Sequence, residues 1–101
     1  MGYGYVIVDM QISNPEQYKG YMAAAPAAVK AFGGEYLVRG GQHETLEGQW
    51  QASRVAMLRF PSYAAARDFY HSEQYRAARA QRAGATAFFN AVLVEGVDAP
   101  V

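Results

Sequence analysis

Residues 3–16 read Tyr3-Gly4-Tyr5-Val6-Ile7-Val8-Asp9-Met10-Gln11-Ile12-Ser13-Asn14-Pro15-Glu16. Tyrosine and β-branched residues dominate the first ten, which predicts a strand over residues 3–12. A helix start follows at once. Asn14 suits the N-cap, Pro15 the first helical position, and Glu16 the positive end of the helix dipole. Beyond it, Tyr18, Tyr21, Met22, Ala25, Val29 and Phe32 fall on one stripe of a 3.6-residue period, so the helix is expected from Pro15 to about Phe32. Pro26 lies inside this stretch and is expected to kink or split it. Gly33-Gly34 supplies the stop.

The same strand-then-helix order returns in the second half. Glu35–Arg39 predicts a second strand, interrupted by Gly40-Gly41, where a bulge or a close backbone approach is expected. The strand is expected to resume through His43–Glu47 and turn near Gly48. Arg54–Phe60 predicts a third strand. Ser62 caps a helix from Tyr63 to His71, and Ser72-Glu73 opens a second piece reaching about Arg82. Ala83-Gly84-Ala85 breaks it. Thr86–Glu95 is the fourth strand, followed by a short tail ending in Pro100-Val101. The order β-α-β-β-α-β, with right-handed crossovers, puts both helical segments on one sheet face. This is the α+β, ferredoxin-like plan: one domain over residues 1–101, a four-stranded antiparallel sheet, and the first and third strands central.

The other sheet face is not polar. Tyr5 and Ile7 alternate with Val6 and Val8, Val55 and Met57 with Ala56 and Leu58, and Phe88, Val92 and Val94 with Phe89, Ala91 and Leu93. Both faces need cover, yet the chain encodes helices for one. Leaving several hundred Å² of such surface wet forgoes on the order of 10 kcal/mol. A second copy, sheet face to sheet face, is the expected cover, and the homodimer is an isologous one. An amphipathic ligand on that face is the alternative.

Composition narrows the function. Of 101 residues, 51% are hydrophobic and 18% charged, with 9 basic and 9 acidic side chains and no cysteine. That is a globular, not a disordered, composition. Zero net charge supplies no general attraction to nucleic acid or anionic lipid. Without cysteine there is no thiolate nucleophile and no cysteine-ligated metal. The two histidines, His43 and His71, show no metal-ligand spacing, so no metal site is expected. No P-loop or nucleophile elbow follows a strand, and Gly2-Tyr3-Gly4 precedes one, so no cofactor is expected. The N-terminus lacks the basic start of a signal peptide and no apolar run approaches membrane-spanning length, so a cytoplasmic protein is expected.

Four constellations could carry chemistry. Arg39 beside Gly40 and Gly41 offers a planar donor fork and exposed backbone N–H groups, suited to a carboxylate or phenolate; an Arg39–Glu47 ion pair pinning the hairpin is an equal reading. His43 and Glu47 are the candidate acid–base residues, with a surface-loop histidine as the plainer account of His43. Residues 54–82 carry six arginines against Asp68 and Glu73. Arg76, Arg79 and Arg82 form a stripe read as a solvated, salt-bridging face, with Arg79 turned inward near Tyr75. Asp9, on a central strand, is expected to pair with an arginine of the third strand. Tyr18, Tyr21, Tyr36, Tyr70, Tyr75 and Trp50 are read as packing residues.

The runs Phe32-Gly33-Gly34-Glu35-Tyr36-Leu37-Val38-Arg39-Gly40-Gly41, Leu46-Glu47-Gly48-Gln49-Trp50, Phe60-Pro61-Ser62, Phe69-Tyr70-His71-Ser72-Glu73-Gln74-Tyr75 and Leu93-Val94-Glu95-Gly96 carry a resemblance. Over nearly its whole length the chain resembles the bacterial domain-of-unknown-function family 1330. Phe32 stands where tyrosine is usual, and His71 where the family often has a small or polar residue. The resemblance implies a dimeric α/β barrel, a superfamily that includes cofactor-independent monooxygenases, heme-handling proteins and isomerases; it implies no particular reaction. The expected function is binding of a small anionic or aromatic ligand by Arg39, Gly40, Gly41, Tyr75 and Arg79 in a homodimer. A monooxygenase- or isomerase-like enzyme and a purely structural or stress-associated dimer are the alternatives.

Overall fold

The computed structural model describes residues 2–51 and 53–99. Met1, Ala52, Pro100 and Val101 lie outside the described residues. Strand β1 runs Gly4–Ile12 and helix α1 Pro15–Ala31. Asn14 joins them: its side chain accepts from the Gln17 amide at 3.2 Å, and the Ser13 and Asn14 amides both donate to the Ala85 carbonyl. Pro26 sits inside α1 without splitting it, because the packing of Tyr18, Ala25, Ala28 and Val29 holds the turns on either side. The helix ends where Gly33, at φ +76°, donates to the Lys30 carbonyl and Gly34 to that of Val29. A side chain at Gly34 would run into the Phe60 ring, so glycine serves packing there as well as the turn.

Strand β2 (Glu35–Arg39) is followed by β3 (Arg54–Phe60), α2 (Tyr63–His71), α3 (Glu73–Ala80) and β4 (Thr86–Glu95). The sheet is antiparallel in the order β2-β3-β1-β4, with the first and third strands central as the sequence predicts. Ser62 and Ser72 cap the two helical pieces by accepting from the Ala65 and Tyr75 amides at 3.0 and 3.1 Å. Ser62→Ala is expected to cost about 1 kcal/mol, read as a shift of the urea midpoint at unchanged slope.

Strand β2 does not resume after Gly40. The Gly40 amide closes the ladder on the Val55 carbonyl at 2.8 Å, and Arg39 is already opposite Ala56. Near the start of β3, residues 43–47 have nothing left to pair with, and residues 41–50 form an exposed loop. The expected bulge lies earlier, between Tyr36 and Val38. The expected close approach is at Gly40, where φ is +75° and the Arg54 guanidinium occupies the space of a side chain.

Val6, Val8, Met10, Ala56, Leu58 and Phe60 face the helices and, with Ala25, Val29, Ala66, Phe69 and Tyr75, make the core. Register puts Tyr5, Ile7, Asp9, Val55, Met57, Phe88, Val92 and Val94 on the opposite face, which no helix among the described residues covers; the loop after β2 borders it near Asp9 and Val55. Val92 is 56% and Val94 43% exposed. The molecule is a slab of 39 × 37 × 17 Å. Its surface of 6496 Å² exceeds by roughly 800 Å² what a monomer of this mass normally shows.

Candidate functional site

Two helical segments cannot roof four strands evenly. Where α1 and α3 meet over the middle of the sheet, a small cavity of about 30 Å³ remains, walled by Tyr18, Tyr21, Tyr36, Tyr70, Tyr75 and Phe89 with Arg39 and Arg54 among the lining residues. Over the edge strand β4 the roof falls short. There a groove of about 800 Å³ runs between α2, the end of α3 and Phe89–Leu93, lined also by Arg67, Arg79, Arg82 and His71. Tyr70, Phe89, Ala91 and Val6 belong to both spaces. No aspartate or glutamate lines either one.

The tyrosines form a connected cluster. The Tyr21 and Tyr75 hydroxyls lie 2.5 Å apart, and rings stack in sequence from Tyr18 through Tyr21 and Tyr75 to Tyr70 and Phe69. Burial pushes the Tyr21 phenol well above its ordinary value, helped by the neighbouring Tyr75; burial also raises Tyr18 and Tyr36. The Tyr21 hydroxyl is therefore protonated at neutral pH. One proton is shared between them and the second remains to donate. Because unfolding returns Tyr21 to an ordinary phenol near 10, its contribution is fully present below that pH and is lost as pH rises toward the higher folded value. Stability is expected to fall above about pH 10, and Tyr21→Phe to flatten that fall, as followed by melting temperature against pH.

The arginines sit on these rings. Arg39 lies 4.6 Å over Tyr36 and donates to the Met22 carbonyl at 3.0 Å. Arg79 lies 4.4 Å over Tyr70, donates to its hydroxyl at 3.0 Å, and is 5.7 Å from Tyr75. Arg82 lies 3.6 Å over Phe89 and 5.0 Å over Tyr21. The Nε atoms of Arg79 and Arg82 are buried and have no acceptor in the protein.

Several expectations are corrected here. Arg39 and Glu47 form no ion pair, since Arg39 turns to α1 while Glu47 sits in the loop. Asp9 pairs with no arginine: register places it on the open sheet face, where it borders a shallow depression with Trp50 and Phe88, whereas Arg54 lines the cavity on the other side. Arg79 does turn inward, but so does Arg82, and neither meets a carboxylate; Arg76 alone of the stripe is exposed. Tyr75 lines the cavity with Arg39, and Arg79 stands beside them. Gly40 lies at the end of β2 and Gly41 begins the loop. His43 and Glu47 line a separate surface depression with Leu46 and Trp50. The sequence reading treated Tyr21, Tyr70 and Arg82 as packing or solvated residues. A signal was available: neither Arg79 nor Arg82 has an acid three or four positions away.

The profile of the family described as "Domain of unknown function (DUF1330)" matches residues 3–97. The chain belongs to the DUF1330 family. This is the family that the glycine, Leu-Glu-Gly and Phe-Pro-Ser runs resemble. No curated protein matches the sequence significantly. Among solved structures, a protein of unknown function from Rhodopseudomonas palustris is similar at 18% identity and a TM-score of 0.74, over 97% of this chain and 85% of that one. A candidate antibiotic biosynthesis monooxygenase from Caulobacter crescentus is similar at 17% identity and 0.62, over 96% and 92%. A protein of unknown function from Thermobifida fusca, described as dimeric and ferredoxin-like, is similar at 18% and 0.61, over 93% and 91%. At these identities the likeness establishes the ferredoxin-like fold of this DUF1330 member. Among the described residues no helix is long and apolar enough to cross a membrane.

Proposed function

We propose that the protein is a homodimer that binds a small organic ligand, anionic with an aromatic or apolar body, in the space between helices and sheet of each subunit. One observation carries the reading: five arginines, Arg39, Arg54, Arg67, Arg79 and Arg82, line the cavity and groove, and no carboxylate lines either. Inward-turned guanidiniums are normally paired; here Tyr70 and Phe89 hold those of Arg79 and Arg82, Tyr36 holds the exposed Arg39, and an anion would complete them. Arg39, Gly40, Gly41, Tyr75 and Arg79 are the proposed contacts. The dimer is supported by the uncovered apolar face and by the dimeric state described for the Thermobifida protein. Action in the cytoplasm, without nucleic acid or membrane, belongs to the same proposal and is supported by the zero net charge.

The test is thermal shift against a panel of aromatic and polyketide-like acids. A ligand at about one hundred times its Kd contributes about 2.7 kcal/mol. Arg39→Ala is expected to cut the ligand-induced shift and leave the unliganded melting temperature nearly unchanged. A lowered melting temperature with an unchanged ligand shift would make Arg39 structural; no stabilisation by any acid would leave a structural or stress-associated dimer. A cofactor-independent monooxygenase- or isomerase-like activity is the second reading, supported by the Tyr21–Tyr75 pair, whose free proton could stabilise an oxyanion in a dry site. His43 and Glu47 would serve that reading as acid–base groups only by loop movement, since they line a different depression.

A further inference from the structure

The small cavity, at about 30 Å³, has room for water but not for a ring. A ligand of any size must therefore lie mainly in the groove, whose roughly 800 Å³ is within the ordinary range for small-molecule sites. The groove is asymmetric. One wall is β4, whose Phe89, Ala91 and Leu93 face the helices; the other carries Arg79 and Arg82, with Arg67 and His71 on the α2 side.

The two inner arginines are prepared for an anion in three respects. Each guanidinium plane is fixed on a ring, Arg79 on Tyr70 and Arg82 on Phe89, so little side-chain freedom is lost on binding. Each Nε is buried with no acceptor in the protein, so neither guanidinium has its full set of hydrogen bonds. Neither is neutralised by an acid.

We propose that Arg79 and Arg82 form an anion clamp in the groove between α2–α3 and β4, and that its ligand is an amphipathic carboxylic acid whose carboxylate rests on the two guanidiniums while its apolar body lies along Phe89–Leu93. The proposal rests on the ligand-binding reading above and adds Arg82 to its contacts, with the carboxylate on the Arg79–Arg82 pair. Apolar flooring selects a carboxylic acid with a hydrocarbon or aryl body over inorganic phosphate, which the guanidiniums alone would accept.

The experiment is isothermal titration of the full chain with acetate, hexanoate, octanoate, 3-phenylpropionate and inorganic phosphate. Affinity is expected to rise by about fourfold per added methylene and to fall with salt. Arg79→Gln and Arg82→Gln are each expected to weaken 3-phenylpropionate by about tenfold or more, and Arg76→Gln, exposed on the same helix and outside the groove, to leave it unchanged. Should a glutamine variant fail to fold, the Nε–H resonances of Arg79 and Arg82 in the native protein provide the same test, because the acid must shift both. Loss of binding in Arg39→Gln with none in Arg82→Gln overturns the clamp and leaves the ligand-binding reading standing. Phosphate binding as tightly as octanoate overturns the amphipathic ligand. No binding of any acid overturns both.

Discussion

If the proposed dimer forms, the native protein is expected to sediment at twice 11.1 kDa and the Ile7→Glu variant at the mass of one chain. Ile7 lies on central strand β1, opposite Met57 on one side and Val92 on the other, in the middle of the uncovered face. In a two-fold contact every substitution is present twice. A carboxylate pressed into an apolar interface without a partner costs several kcal/mol, enough to move a micromolar dimer fully to monomer. Lys19→Glu, on the exposed side of α1, is the control and will stay dimeric, losing only a surface pair with Glu16. A native protein that sediments as a single chain at tens of micromolar would remove the dimer and leave the apolar face without an occupant.

Phe69→Ala will cost about 3–5 kcal/mol, a large part of the roughly 5–15 kcal/mol available to a domain. Phe69 is 2% exposed and joins three elements: its ring is 4.7 Å from Phe60 of β3, 4.3 Å from Tyr75 of α3 and 6.3 Å from Phe32 at the end of α1. It also walls the small cavity, so truncation enlarges a void that the flanking helices cannot close without losing the Tyr21–Tyr75 contact. Urea unfolding at unchanged slope measures the loss. A cost under 1 kcal/mol would mean that α2 and α3 are held to the sheet by something other than this ring stack.

Much of the fold was legible because its signals are local. Asn14-Pro15-Glu16, Ser62 and Ser72 start helices through side chains three residues from the amides they satisfy, and such spacing is written along the chain. The alternation on β1 told the two sheet faces apart before any pairing was known, because strand side chains alternate whatever the partner. The strand expected over His43–Glu47 failed for the opposite reason: a strand exists only if another has free backbone groups opposite it, and β3 has none left there.

The site divides in the same way. Residue types alone pointed to Arg39, Tyr75 and Arg79, since a guanidinium beside aromatics and glycines has few uses. Tertiary structure decided that Asp9 and Arg54 face opposite sides of the sheet, that His43 and Glu47 stay out in the loop, and that Arg82 leaves its solvent stripe to lie on Phe89. Those outcomes depend on distances between segments far apart in sequence, and periodicity carries no such distances. The buried, acceptor-less Nε atoms of Arg79 and Arg82 belong to this second class: a missing partner can be recognised only when everything packed around the group is in place.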